Sequence, residues 1–339
     1  MTSVKEFRIL EEPTEDRLGS GFFHFTDAYS VFDWGAMPDE IPGKGNSLCS
    51  MGAKTFETLE SADIPTHYRG VTDAEVRLDD CTVPPSVMAI DLTQVPELPY
   101  RDGQYEYTAY HDAGGENFLI PLEIVFRNFV PVGSSLRRRG TPADYGLSFG
   151  TWPDERVQLA EPIVEFSTKY EEADRYLDEK EASEIAGAAA VDRLREIAGS
   201  VNEVVTELAQ SAGMVHLDGK IECLYHHGDI LVADVAGTFD ENRFAYNGTQ
   251  LSKESIRQYY RRENPDWIES LERAKEEAKE RGIVDWRTIC EREPMALPHD
   301  VVETISDMYA GGANAYIGHE LFDAPELDTI VRAIDALNE

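Results

Sequence analysis

One stretch leaves this chain little freedom. FLIPLEIVFRNFVPV, residues 118–132, is a nearly continuous apolar run and predicts a strand buried deep in the molecule. Arg127 lies inside it, where an unpaired guanidinium would cost several kcal/mol. The strand must therefore meet an anion. A protein carboxylate, with Glu123 as the near candidate, and a bound ligand satisfy that need equally well.

Upstream, VKEFRIL and GFFHFTDAYSVFD alternate as short strands, and a Pro/Gly-marked loop, MPDEIPGKGNS, follows. LCSMGAKTFETLESA places Leu48, Met51, Phe56 and Leu59 on one helical face. Between 71 and 119, EVRL, VMAIDL and YEYTAYH read as further strands. The middle is more helical: SEIAGAAAVDRLREIAGSVNEVVTELAQSAG repeats apolar residues at helical spacing and ends at a glycine. MVHLDGKIECLYHHGDILVADV is a hairpin turning through His226, His227 and Gly228. LSKESIRQYY, PDWIESLERAKEEAKERG and segments near 299–311 and 324–337 are helices. This order predicts an α+β fold with a β-rich lobe over 1–120, a mixed α/β lobe over 121–339 and a cleft between them. Neither a Walker loop nor a G-x-G-x-x-G turn occurs.

Charge narrows the partners. Acidic residues number 65 against 31 basic ones, a net charge of −34. Such a surface repels DNA and RNA, so a nucleic-acid partner is not expected. Self-repulsion on this scale is tolerable where the Debye length shrinks to about 3 Å in 1 M salt, so the composition points to a halophilic, salt-rich cytoplasm, with an ordinary acidic mesophilic protein as the alternative. No apolar run reaches the ~18 residues of a membrane span, and the N-terminus lacks an apolar signal core. Cys49, Cys81, Cys223 and Cys290 are scattered, as suits reduced thiols in a cytoplasmic protein. A homo-oligomer is compatible with all of this.

Four segments carry polar groups that folding alone does not demand. Gly43-Lys44-Gly45 reads as a flexible turn presenting one cation to a phosphate or carboxylate, or as a plain solvated loop. Beyond Arg127, Gly133-Ser134-Ser135 and Arg137–Arg139 form a basic, hydroxyl-rich island suited to a phosphate monoester, although three consecutive arginines cannot all face one site. In the hairpin, Asp218, Lys220 and Glu222 are spaced by two and share one strand face, with Asp234 opposite on the return. That set fits a magnesium–nucleotide site, and equally an exposed face of ordinary ion pairs. Lys253 and Arg257 lie four apart on one helix face, fit for a dicarboxylate or merely solvated.

In order, these segments resemble the SAICAR synthase family. DAYSVFDWGAMPDEIPGKGNSL with IPTHY, PLEIVFRNFVPVGSSLRRRG, EPIVEFSTKYEEADRYL and LDGKIECLYHHGDILVADV are similar to its S-A-F-D, I-P-G-K-G, I-P-T-H, P-x-E-x-V-x-R, T-K and D-x-K-x-E motifs. The resemblance covers about residues 20–267, and the acidic balance suggests a haloarchaeal-type member. It implies the family's two-lobed fold with the ATP site in the cleft. It also implies its reaction: ATP phosphorylates the carboxylate of an aminoimidazole ribotide, and the amine of L-aspartate displaces phosphate. Carried over, Glu222 and Asp234 would hold Mg²⁺ on ATP, with Lys220 and Lys5 near the phosphates. Arg127, Ser134, Ser135, Lys169, Asp174 and Arg243 would bind the ribotide. Ser30, Lys253 and Arg257 would bind substrate, and Asp33, Lys44 and Lys220 would act in the chemistry.

The departures are specific. The family's G-K-x-K loop is replaced by VKEFR, in which Lys5 and Arg8 are the substitutes available, and its D-E reads Asp234-Val235. Residues of roughly 95–118 look inserted, and extra helices close the chain. Two rival readings follow: a non-catalytic nucleotide- or ribotide-binding paralogue, and a related ATP-dependent small-molecule kinase. The first predicts binding without turnover. The second predicts ADP release without aspartate.

Overall fold

Residues 5–101, 103–171, 175–283 and 285–338 are described by the computed structural model. Antiparallel pairing builds both of its large sheets. The first contains β1 (Lys5–Glu11), β2 (Gly19–Phe25), β3 (Tyr68–Val71) and β4 (Val87–Leu92) in the order β1-β2-β4-β3. Helix α1 (Lys44–Ser61) enters between β2 and β3 and packs on this sheet through Leu48, Met51, Phe56 and Leu59, the face that periodicity marks. A small hairpin, β5 (Tyr100–Arg101) and β6 (Gln104–Tyr105), and α2 (Tyr107–Gly114) lead to β7 (Asn117–Leu119) and β8 (Leu122–Val130).

The second sheet is organised around β10 (Val215–His226). Its order is β13 (Thr249–Leu251), β12 (Asn242–Tyr246), β10, β8, β9 (Val157–Thr168). The first half of β10 pairs with β8 and β12, while its last residues pair with β7 and with β11 (Asp229–Ala233). The hairpin turn lies where the sequence puts it, with His227 at φ 49 and Gly228 at φ 92. Between the sheets runs a seam. Residues 65–67 lie parallel to β11, with the His67 N–H bonded to the Val232 carbonyl at 3.0 Å and the Asp91 N–H bonded to the His67 carbonyl at 2.8 Å.

Helices α3 (Leu136–Arg139), α4 (Glu179–Ala186), α5 (Val191–Ser211), α6 (Lys253–Glu263), α7 (Pro265–Arg281), α8 (His299–Ile317) and α9 (Leu327–Asn338) complete the chain. α5 covers β8 and β10, and α8 packs on α1. One apolar core runs from Phe23 through α1 and β10 to Ile334. No described helix is long and apolar enough to cross a membrane.

Four local expectations need correction. YEYTAYH is mostly helix α2, because Tyr110 is fully buried there and donates its hydroxyl to the Leu119 carbonyl at 2.7 Å. EVRL is a tight loop in which Val76 exchanges bonds with Val71. Pro121 divides the long apolar run into β7 and β8, and the long helical segment breaks into α4 and α5 at Gly187 (φ 65). The pattern around Pro162 does not announce a strand, yet β9 forms at the sheet edge, where a proline and a register shift are tolerated.

Candidate active site

The D-x-K-x-E alternation of β10 puts Asp218, Lys220 and Glu222 on one face, and each finds charged partners there. Glu222 pairs in register with Ala233 of β11, so Asp234 follows immediately beyond the last rung. Lys169, just past the end of β9, bonds Glu222, and Lys5, the first residue of β1, bonds Asp234. Lys5 also sits 4.5 Å from the centroid of the Phe23 ring. Lys220 lies 2.6 Å from Glu123 and 3.5 Å from Glu241. Burial raises the Glu222 carboxyl above its ordinary range, and Asp234 pushes the same way against Lys169 and Lys220. Burial acts on Asp234 too, but Lys5 and Lys169 outweigh it and hold that carboxyl low. The two carboxyls are thus drawn apart, Glu222 upward and Asp234 downward.

Beside this pair lies a narrow cavity of about 100 Å³, walled by Phe7, Phe23, Ile90, Leu92 and Leu224 together with Glu222, Asp234 and His67. Its apolar walls come from both sheets, and its acidic lining comes from the β10–β11 hairpin and from Asp91 of β4. His67 is buried between the Phe23 and Phe56 rings, and its Nε2 is 3.0 Å from the Asp234 carbonyl. Burial pulls its pKa down to about 4, so the ring is neutral near pH 7.

A second group forms farther along the same face. Asp218 stands opposite Arg127 on β8 and opposite Arg243 on β12. Arg127 Nη1 donates to Asp218 at 3.1 Å, its Nε to Glu165 at 2.8 Å and its Nη2 to the Tyr176 hydroxyl at 2.9 Å. Arg243 Nε donates to Asp218 at 2.7 Å. The anion that Arg127 requires is therefore Asp218 with Glu165; Glu123, the near candidate in sequence, serves Lys220 instead. Ser135 donates to the Tyr176 hydroxyl at 3.2 Å, and Ser134 is buried and accepts from the Leu136 N–H at 3.4 Å. Next to Arg243 opens a cavity of about 400 Å³, lined also by Gly133, Arg156, Gln250 and Gln258. The arginine run divides as its length requires: Arg137 donates to main-chain carbonyls, Arg139 stacks on Tyr176, and Arg138 is exposed.

A third group is sealed. The Gly43-Lys44-Gly45 segment is the start of α1 and not a presented turn. Gly43 takes φ 77 before the first helical residue, and a Cβ on Gly45 would come within 2.8 Å of the Phe25 carbonyl oxygen. Asp27 accepts from the N–H groups of both glycines, at 3.1 and 3.0 Å. Lys44 is 0% exposed, with its Nζ 3.0 Å from Asp240; Lys253 lies 3.2 Å from the same carboxylate, and Tyr309 of α8 donates to it at 2.7 Å. Burial draws the Lys44 ammonium below its ordinary range, and Asp240 draws it back only in part.

The remaining expected residues lie elsewhere. Asp33 is largely exposed and pairs with Lys275 at 2.6 Å. Ser30 is half-buried in the same loop. Arg257 does not join Lys253 as a dication, since it pairs with Glu254 at 3.3 Å. Arg8 is exposed and pairs with Asp73. Asp174 lies outside the described residues. Sequence reasoning missed Glu165, His67, Asp240 and Tyr309 as parts of these groups. Recognising β9 as a strand would have flagged Glu165, two strand steps from Lys169; nothing local marks Tyr309.

A family model described as SAICAR synthetase matches residues 13–274. An Archaeoglobus fulgidus protein, provisionally named phosphoribosylaminoimidazole-succinocarboxamide synthase, is 39% identical over 348 residues, covering 100% of both chains. Two solved structures share the fold. One, titled a type-2 SAICAR synthetase in complex with ADP, has a TM-score of 0.55 at 24% identity, over 76% of this chain and 88% of its own. The other, a Saccharomyces cerevisiae SAICAR synthase complexed with SAICAR, has a TM-score of 0.59 at 17% identity, over 93% and 96%.

Proposed function

The chain belongs to the SAICAR synthetase family, and on that premise we propose that it joins L-aspartate to 5-amino-1-(5-phosphoribosyl)imidazole-4-carboxylate at the expense of ATP, in purine biosynthesis. The products are SAICAR, ADP and phosphate. The observation that carries this reading is the Glu222–Asp234 pair, brought together by β10 and β11 against an apolar cavity and ringed by Lys5, Lys169 and Lys220.

The ribotide carboxylate is a poor acyl donor. One of its oxygens attacks the γ-phosphorus of ATP, the bond to the β–γ bridging oxygen breaks, and ADP leaves. The aspartate amine then attacks the acyl carbon, the C–O bond to phosphate breaks, and the nitrogen loses its proton as the amide forms. Two hard carboxylates, one on β10 and one just past β11, would fit Mg²⁺ once nucleotide phosphates and water complete its shell. When bound, the ion offsets negative charge on the phosphates.

In this reading Lys5 takes the place of the family's loop lysines, because its position at the start of β1 brings it to Asp234. Lys169 keeps Glu222 oriented, and Lys220 meets the phosphate being transferred. Arg243, with Ser135 and Arg127 behind it, faces the larger cavity and takes the ribotide phosphate. Ser30, Asp33 and Arg257 are assigned to the aspartate side, while Lys44 and Lys253, committed to Asp240 in a closed space, brace that region from behind. The two sheets are the walls of the cleft between lobes 1–120 and 121–339. We place the protein in a salt-rich cytoplasm, as its net charge and free cysteines suggest.

The test is ADP and SAICAR formation by purified protein in high salt with each substrate omitted in turn. Turnover that requires ATP, aspartate and the ribotide together is expected. Binding without turnover, or ADP formation independent of aspartate, would replace this reading with a sensor or a kinase. Melting across a salt series tests the halophilic part: Tm should rise steeply from dilute buffer to about 2 M salt, where screening is nearly complete.

A further inference from the structure

The β10–β11 ladder ends at Glu222 and Ala233, so Asp234 is the first residue that strand pairing does not hold. It sits at φ 61, a left-handed conformation that aspartate tolerates better than most residues but that still favours a fixed local setting. The contact that holds it comes from the seam beside the other sheet. The Nε2 of His67 lies 3.0 Å from the Asp234 carbonyl, and because a carbonyl only accepts, Nε2 carries the proton and donates. His67 has no freedom to drift: it is 3% exposed and wedged between the rings of Phe23 and Phe56. Its own backbone is bonded to both sides of the seam, N–H to Val232 of β11 and carbonyl to the Asp91 N–H of β4. Pro65 accepts from the Val232 N–H at 2.9 Å, so the segment grips the hairpin immediately before Asp234.

We infer that His67 is a positioning residue for Asp234. Its imidazole fixes the 234–235 peptide and thereby the direction in which the Asp234 carboxylate points, toward the cavity and Lys5. Both sheets must therefore be docked for the acidic pair to be correctly formed. The inference rests on the proposed role of Asp234 in meeting nucleotide-bound Mg²⁺.

The experiment is calorimetric ADP binding to the full chain in high salt, with and without Mg²⁺, for wild type, Asp234→Asn, His67→Leu and His67→Gln. Wild type should bind ADP more tightly when Mg²⁺ is present. Asp234→Asn should lose that increment; if it does not, the role assigned to Asp234 falls. His67→Leu should lose about tenfold of the increment while its Mg²⁺-free affinity stays within about twofold, one hydrogen bond's worth of orientation. His67→Gln, which keeps an N–H donor, should recover most of it. Should leucine prevent folding, His67→Phe refills the space and carries the same comparison. An unchanged increment in a folded donor-less variant, with Asp234→Asn deficient, would overturn the positioning role. Equal losses in His67→Gln and His67→Leu would also overturn it, because the donor would not be what matters.

Discussion

Two groups of buried lysines and carboxylates lie in this molecule, and they do opposite things with the same chemistry. Around Glu222 and Asp234 the charges border a cavity, and Asp234 remains 22% exposed. Around Asp240 they are closed off: Lys44 is 0% exposed, and α8 lays Tyr309 over the carboxylate. In the first group burial raises one carboxyl and neighbouring lysines lower the other. In the second, burial opposes ionisation of Asp240, but Lys253, Lys44 and Tyr309 hold it well below the usual carboxylate range. A divided pair beside a cavity is suited to meeting a ligand. A fully committed carboxylate in a closed space is a joint between β12, α1, α6 and the C-terminal helices.

That contrast can be broken by substitution. The largest effect should come from Glu222→Gln, which is nearly isosteric: turnover should fall about a thousandfold, ~4 kcal/mol of barrier, while the melting temperature hardly moves. An active variant would remove Glu222 from the chemistry. Asp240→Asn should do the reverse. It leaves Lys44 and Lys253 without their counter-charge, so stability should drop by about 3 kcal/mol in denaturant titrations. Because the Asp240 pKa is lower in the folded than in the unfolded chain, its stabilisation is present above about pH 4 and is lost only as pH falls further. Wild type and Asp240→Asn should therefore differ at neutral pH and converge in strong acid. A gap that persists there would trace the loss to packing. Tyr309→Phe should be the mildest, about 1.5 kcal/mol for one hydrogen bond to a charged group, with the Michaelis constant for ATP unchanged. A large kinetic effect without loss of stability would move the sealed group into the active site.

Both groups were half legible in the chain. The spacing of Asp218, Lys220 and Glu222 announces a shared strand face, and His226-His227-Gly228 announces the turn that returns Asp234 to it. Lys44 was legible as a residue of interest but not as a buried one. Gly-Lys-Gly reads as a loose turn until Phe25 and Asp27 are seen to demand both glycines. Arg127 advertised its need for an anion, and only the sheet order could say that Asp218 and Glu165 supply it. YEYTAYH misled because alternating aromatics suit a strand, while burial of Tyr110 made the segment a helix.

The amino-acid order by itself determined what repeats at short range: strand alternation in β10, the apolar face of α1 and the hairpin turn, together with a net charge of −34. Tertiary structure alone decided the partners. Lys5 is 229 residues from Asp234, and Tyr309 is 69 residues from Asp240. Charges so far apart have no periodicity linking them; they are brought into contact only when the sheets and C-terminal helices bury their apolar faces, and in the dry space that results each ion must find whichever opposite charge lies nearest.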